Sequence, residues 1–434
     1  MKNTIAAVTL AAAITMIGAT AKAETTKIDF DQMNFNIADI VNSAKIANTE
    51  KLPVPTATEE KSFNDEATRA KASGWTIMVF INGKNNLEPF ALSDMNEMEK
   101  IGSSNGMNIV VELGRMANYS QGDGAWKGIR RYLVQKDNDT NKITSPIVEQ
   151  YANADMGDYK HLIDFAKWAK AKYPAKNYML IVWNHGAGWI KSIGAGPNRG
   201  ISYDDATNNH ITTPQLGQAL SAMGGVTVYG SDACLMQMAS VDYEIKDYTT
   251  YIVGSEETEP GDGYTYDLFL GKINAQSEPA VVAKAAVDAY SDHYQSIGEG
   301  STQSYVKSSE MNNLVPVVNS FVDAVMAANE KAAVKSARSK TLGFAYADNK
   351  DLVHFANLVA AGSTNQAVKD ASKKLADFVT GTLVKANRTN TSQYANAKGM
   401  AIYLPSGSYN SSYNELQWAK ATKWPAFIKW MIAK

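Results

Sequence analysis

Two stretches of this chain carry the residue types of nucleophilic chemistry. "IVWNHGAGWIKSIGAGPNRGISYDD" ends an apolar run at His185, which leads into the small residues Gly186, Ala187 and Gly188, and "VTVYGSDACLMQ" ends a similar run at Cys234. Cys234 is the only cysteine among 434 residues, so it has no internal disulfide partner. A thiolate is a strong nucleophile, and an imidazole beside it accepts its proton or lowers its pKa. The bland reading of such a residue is a small apolar group in the core; a leftover thiol in an exported protein is also the pattern of a reactive one. Gly186, directly after the histidine, would let backbone approach a substrate carbonyl, and its N–H with that of Cys234 would make an oxyanion hole. No H-E-x-x-H pattern and no paired Cys/His spacing suggests zinc.

For the two side chains to meet, the elements that carry them must be neighbours. "GWTIMVFING", "MNIVVELGR", "NYMLIVWNHG", "VTVYGSD" and "TYIVGSEE" are apolar runs of strand length. Between them lie helical patterns: "NLEPFALSDMNEMEKIG", "DYKHLIDFAKWAKAKYP", "TTPQLGQALSAMGG", with Thr213 as N-cap, and "LMQMASVDYEIKDY". "GIRRYLVQK" reads as a more exposed strand. Alternation of this kind specifies an α/β fold with a mostly parallel sheet covered on both faces. Right-handed crossovers then put the carboxyl ends of the strands, with His185 and Cys234, on one edge, where open sheets bind ligands. A helix starting near Leu235 would set its positive end by the sulfur. Beyond Tyr264 the pattern is mixed. The segments from 279 to 297, from 312 to 334 and from 366 to 386 read as helical, and "SYVKSSE", "LGFAYA" and "GMAIYLP" as strands.

The N-terminus, "MKNTIAAVTLAAAITMIGATAKAETT", has a lysine, a short apolar core and an A-x-A site ending at Ala23, the layout of a signal peptide. Residues 24–73 form a polar leader or pro-segment, 74–270 the α/β core and 271–434 a C-terminal α/β extension. With no cysteine after the cleavage site and no later spanning segment, the expected product is secreted or periplasmic, without a membrane anchor. A net charge of −2 gives no basic field for nucleic acid.

Apolar strand–His-Gly followed by apolar strand–Asp-Ala-Cys resembles the caspase-like cysteine peptidases. "WNHGAGW" with "SDACLMQM" is similar to the clostripain family in particular. The likeness extends to "GWTIMVFINGKNNLE", "SEETEPGDGYTYD" and "ATKWPAFIKWM", spanning residues 74–434. It implies a caspase-like α/β/α sandwich, with Cys234 as nucleophile and His185 as base and acid. Asp232 takes the position that selects a basic P1 side chain, Arg or else Lys; a helix N-cap is the alternative role. Asp262 in "EPGDG" is a second candidate for that pocket, or a solvated turn residue. The resemblance also implies self-cleavage between the two motifs, here at Arg199–Gly200 with Lys191 as a weaker site, and trimming of the leader at Arg69 or Lys71. The product would be a monomer, or two chains held in one sheet, acting on proteins or peptides.

No cofactor is required by this chemistry. Calcium dependence occurs among relatives, and "DGYTYD" and "YDDATNN" offer oxygen ligands outside the EF-hand pattern. His161, His293 and His354 fall on helical patterns as surface or packing residues, and His210 lies in the loop between the motifs. Trp183 and Trp189 read as core and cleft-wall packing. The alternative from another class is a catalytically silent relative that binds peptides or glycans on the same scaffold.

Overall fold

A computed structural model describes residues 51–52, 73–189 and 200–433. One ten-stranded sheet organises the chain. Its strands are β1 (Lys51–Leu52), β2 (Ser73–Gly83), β3 (Met107–Arg115), β4 (Gly128–Leu133), β5 (Ile147–Tyr151), β6 (Ala175–Trp183), β9 (Val226–Asp232), β10 (Thr249–Gly254), β11 (Thr302–Lys307) and β13 (Val384–Thr389), in the order β1-β5-β4-β3-β2-β6-β9-β10-β11-β13. The central five, β3, β2, β6, β9 and β10, run parallel; the strands outside them pair antiparallel. Two short ribbons stand apart: β7 (Gly200–Asp204) with β8 (Asn209–Thr212), and β12 (Asn349–Asp351) with β14 (Ala401–Tyr403).

The continuous apolar runs of β2, β6 and β9 follow from burial on both faces. Along β2, Met78 and Phe80 enter one core with Leu180 and Val182 of β6. Ile77, Val79 and Ile81 enter the other with Met179 and Ile181. The period of two in a strand divides one apolar sequence between two helical layers. Helices α1 (Glu88–Ile101), α5 (Tyr266–Leu270) and α6 (Pro279–Ile297) cover one face. Helices α2 (Tyr159–Lys172), α3 (Thr213–Ala222) and α4 (Ala239–Ile245) cover the other. They are joined there by α7 (Glu310–Ala328), α8 (Lys331–Lys340), α9 (Leu352–Gly362), α10 (Gln366–Phe378), α11 (Gln417–Ala421) and α12 (Trp424–Ile432).

Several elements differ from the sequence reading. Residues 384–386, expected as helix, are strand: a π turn at Val379–Leu383 ends the helical path, and β13 pairs with β11. "LGFAYA" is not a strand; Gly343 makes one isolated bridge to Lys350 and the ribbon forms at Asn349–Asp351 instead. α3 is capped by Thr212, one residue before the expected Thr213, through a capping box with Gln215. β4 is largely buried because Arg131, 1 % exposed, finds carboxylate partners inside.

Candidate active site

β6 and β9 are hydrogen-bonded neighbours, with Trp183 opposite Asp232, and Asn184 N donates to Asp232 O at 3.1 Å. Two residues past this register point on each strand stand His185 and Cys234. Equal register on parallel strands delivers both to the carboxyl edge of the sheet. Their backbones then run close: a Cβ on Gly186 would lie 2.4 Å from Cys234 O and 3.1 Å from Cys234 N. Only glycine fits there.

Asn86, just past β2, is the neighbour of His185 on its other side. His185 Nε2 meets Asn86 Oδ1 at 2.7 Å. The amide oxygen accepts, so Nε2 carries the hydrogen and Nδ1 is left as the basic nitrogen. Burial pushes the His185 pKa down to about 4. Cys234, 5 % exposed, accepts the Glu259 N–H on its sulfur at 3.3 Å. Burial, with the nearby Glu259 carboxyl, pushes its thiol up to about 12 against the opposing effect of that N–H. With the thiol pushed up to about 12 and the imidazole down to about 4, both groups are neutral at rest.

The expected helix at Leu235 is not there. Leu235 has φ 64°, and α4 begins at Ala239. The intervening N–H groups of Leu235 and Gln237 bond sideways to Glu257 O and Ser255 O, beyond the end of β10. An extended crossing of this kind cannot also turn into a helix, so no helix terminus faces the sulfur.

Asp232 therefore caps no helix. Its Oδ1 accepts Tyr264 N at 3.1 Å and its Oδ2 the Tyr266 hydroxyl at 2.8 Å. Gly263, at φ 56°, makes the close approach possible; a Cβ there would sit 2.7 Å from Asp232 Oδ1. The Asp232 carboxyl also touches that of Glu259. Nearby, Asp94 accepts Trp183 Nε1 at 2.6 Å. Burial first, and mutual repulsion second, raise Asp94 and Glu259; burial raises Asp232. Among the described residues no cationic side chain offsets these three.

Asp262 stands at the edge of this group: its side chain is 58 % exposed and bonded to His293 Nε2 at 3.0 Å, and its charge adds to those that raise Asp94. Arg199 and Lys191, like Arg69, Lys71 and the signal-peptide segment, lie outside the described residues. Gly200 is described: its carbonyl accepts Ala187 N at 3.0 Å, and Gly186 bridges to Ile201, so the chain re-enters beside the histidine motif. His161 is held by Glu112 at 2.7 Å, His354 Nδ1 accepts Leu342 N, and His210 stacks on Tyr203. Trp189 packs against Tyr403 and Tyr413. Among the described residues no group of three or more His, Cys, Asp or Glu side chains is placed to hold a metal, and no helix is long and apolar enough to cross a membrane.

The spacing of motifs left Asn86, Glu259 and Asp94 unassigned. The first two lie inside stretches already marked by the resemblance, "GKNNLE" and "EETEPGDG". Asp94 sits on α1 with nothing local to distinguish it from a surface helix residue.

A mostly parallel, doubly covered sheet with a cysteine and a histidine at matching strand ends defines a caspase-like α/β scaffold. The model of the clostripain family, peptidase family C11, matches residues 79–430, and the chain belongs to that family of cysteine peptidases. It is 27 % identical over 239 residues to clostripain of Hathewaya histolytica, covering 50 % of this chain and 45 % of that protein. The match thus spans less than half of that relative's length. Among solved structures, it is similar to a secreted C11 cysteine protease from Bacteroides thetaiotaomicron in complex with an irreversible peptide inhibitor. That comparison has a TM-score of 0.61 and 21 % identity, over 81 % of this chain and 99 % of that one. An inactive zymogen C11 protease from Parabacteroides distasonis compares at a TM-score of 0.60 and 20 % identity, over the same shares. At these identities the structures establish the fold.

Proposed function

We propose that this chain is an exported cysteine endopeptidase that cleaves after Arg, with Lys as second choice, through Cys234 and His185. The observation that carries the proposal is the register of β6 and β9, which sets both side chains two residues past a common point on adjoining strands. In the reaction, Sγ attacks the scissile carbonyl while His185 takes the thiol proton and passes it to the leaving amine. Water then releases the acyl group from the thioester, with His185 as base. Because the resting pair is neutral, proton transfer accompanies attack rather than preceding it. The N–H groups of Gly186 and Cys234 are the proposed oxyanion donors, adjacent as the glycine requires. Asn86 fixes which imidazole nitrogen acts.

Asp232 is the proposed anchor for the P1 cation. The basis is chemical: a buried, uncompensated group of carboxyls attracts a guanidinium, which pairs with them bidentately and loses less hydration than an ammonium. The near-complete burial of Cys234 fits a latent form, opened by self-cleavage at Arg199–Gly200, where Gly200 is anchored next to the histidine motif.

Fluorogenic peptides ending in Arg, Lys or Asn test the reading. Turnover of the Arg peptide, abolished in Cys234→Ala, is the expected result; no turnover of any after activation would favour a silent peptide- or glycan-binding scaffold, and an Asn preference would overturn the pocket. Purified Cys234→Ala should also stay a single chain. If it still splits at Arg199, self-processing is refuted.

A further inference from the structure

Glu259 touches both halves of the site. Its backbone N–H meets Cys234 Sγ at 3.3 Å. Its carboxyl accepts Gln303 Nε2 at 3.3 Å and the Ala233 N–H, and lies in hydrogen-bond contact with the carboxyl of Asp232. Two carboxyl groups touching inside a protein cannot both be ionised; the contact is an O–H···O⁻ bond with one proton between them. Both carboxyls accept two other donors, but those of Asp232, Tyr264 N–H at 3.1 Å and Tyr266 O–H at 2.8 Å, lie closer than the 3.3 Å from Gln303 to Glu259, so Asp232 is the better-stabilised anion and Glu259 the holder of the proton.

Among the described residues no cation is ion-paired with these two carboxyls; Lys100 of α1 is held by Asp267 at 2.7 Å and acts on Glu97. From α1 come Asp94 and Glu97, and from the segment after β10 come Tyr264, Tyr266 and Asp262, the last bound to His293 of α6. α6 also contributes Tyr290 and Tyr294, β11 contributes Gln303, and the end of β9 contributes Cys234.

We propose that Glu259 is a specificity-determining residue: protonated in the empty pocket, it loses its proton to solvent when a P1 guanidinium enters, so that two carboxylates hold one cation. The O–H bond of Glu259 breaks, the proton passes to water and then to buffer, and the pocket gains a charge to match the guest. This rests on the basic-P1 reading of Asp232. A neutral P1 side chain cannot drive the proton off and so meets a protonated, less polar pocket, which sharpens discrimination. The N–H that holds the sulfur belongs to the backbone and survives a change of side chain, so the readout that isolates the carboxyl is the pH dependence of KM.

Two experiments test the proposal. KM for an Arg peptide should fall with rising pH by up to about tenfold per unit across the ionisation of the pair, one proton leaving per substrate bound. Glu259→Gln keeps a hydrogen-bond donor to Asp232 but has no proton to lose. It should flatten that dependence. A wild-type KM independent of pH, or the same slope in the variant, overturns the proposal. Should Glu259→Gln not fold, calorimetry decides: Cys234→Ala protein is titrated with an Arg-ending peptide in two buffers of different ionisation heat. About one proton released per peptide is expected, and none released overturns it. Cleavage after Arg with no proton release removes the role of Glu259 alone; absence of cleavage after Arg removes the pocket and the proposal together.

Discussion

Two buried clusters of charge, one between β3 and β4 and one past the ends of β6 and β9, are built on opposite principles. On β3 and β4, Glu112 is wholly buried but meets Arg131 Nε at 2.6 Å and His161 Nε2 at 2.7 Å, while Arg131 reaches on to Asp164 and Glu149. Burial alone would raise the Glu112 carboxyl, yet His161 and Arg131 outweigh it and hold the pKa below its ordinary value. Past β6 and β9, Asp94, Asp232 and Glu259 are equally buried, have hydrogen bonds but no cation among the described residues, and are all raised. The first cluster is complete within the chain and fastens an antiparallel flank to the parallel centre. The second is short of positive charge, which suits a pocket whose missing partner arrives with the substrate. Desolvation costs several kcal/mol per ion, so an uncompensated group of acids weakens the fold and needs another reason to be there.

Breaking each cluster should therefore have opposite effects. The largest is Glu112→Gln, which takes from Arg131 its one wholly buried carboxylate and from His161 its partner, and should cost about 3 kcal/mol in denaturant unfolding; a loss under about 1 kcal/mol would mean the cluster is not the fastening it resembles. Asp232→Asn should lower kcat/KM on Arg peptides by about 10²- to 10³-fold with no loss of stability. Its effect on stability has a sign in pH. A carboxyl raised in the folded state contributes stability fully present below its unfolded value, about 3.9, and lost as pH rises through the folded one. The asparagine variant should thus gain on the wild type as pH rises from 5 to 8, measured by unfolding at both ends.

A smaller effect separates the proposed base, His185, from its support. Asn86→Ala should lower kcat about tenfold by freeing the imidazole, a fraction of the 10²- to 10⁴-fold that a positioned base supplies. In the wild type, burial holds the His185 pKa down to about 4, so the acid limb of kcat/KM due to this residue should lie near that value rather than near 6.5. A limb at 6.5 would place the histidine in water. Least of all, His293→Ala removes the half-buried partner of the exposed Asp262 and should change kcat/KM less than about threefold, in keeping with the ~0–1 kcal/mol of surface pairs.

The parallel centre of the sheet was legible because β2, β3, β6, β9 and β10 each hold a run of consecutive apolar residues, which burial on both faces explains. β13 was not, since "LVKA" continues the helical spacing of the segment before it and only pairing with β11 makes it a strand. β5 escaped as well: Ile147–Tyr151 is half-buried at every position and shows no alternation. The start of α4 was misplaced for a similar reason. Nothing local says that Leu235 and Gln237 will spend their N–H groups on the chain beyond β10.

The sequence alone determined the family, the two motifs and the sheet edge they share, because apolar runs ending in His-Gly and Asp-Ala-Cys are local patterns that survive without knowledge of packing. Tertiary structure alone decided that Asn86 would hold the imidazole, that Asp232 and Glu259 would touch, and that the sulfur would rest against a backbone N–H rather than a helix end. Those are meetings between segments far apart along the chain. Their energies come from burial and from the hydrogen bonds left over once the sheet has formed, quantities that no short stretch of residues carries by itself.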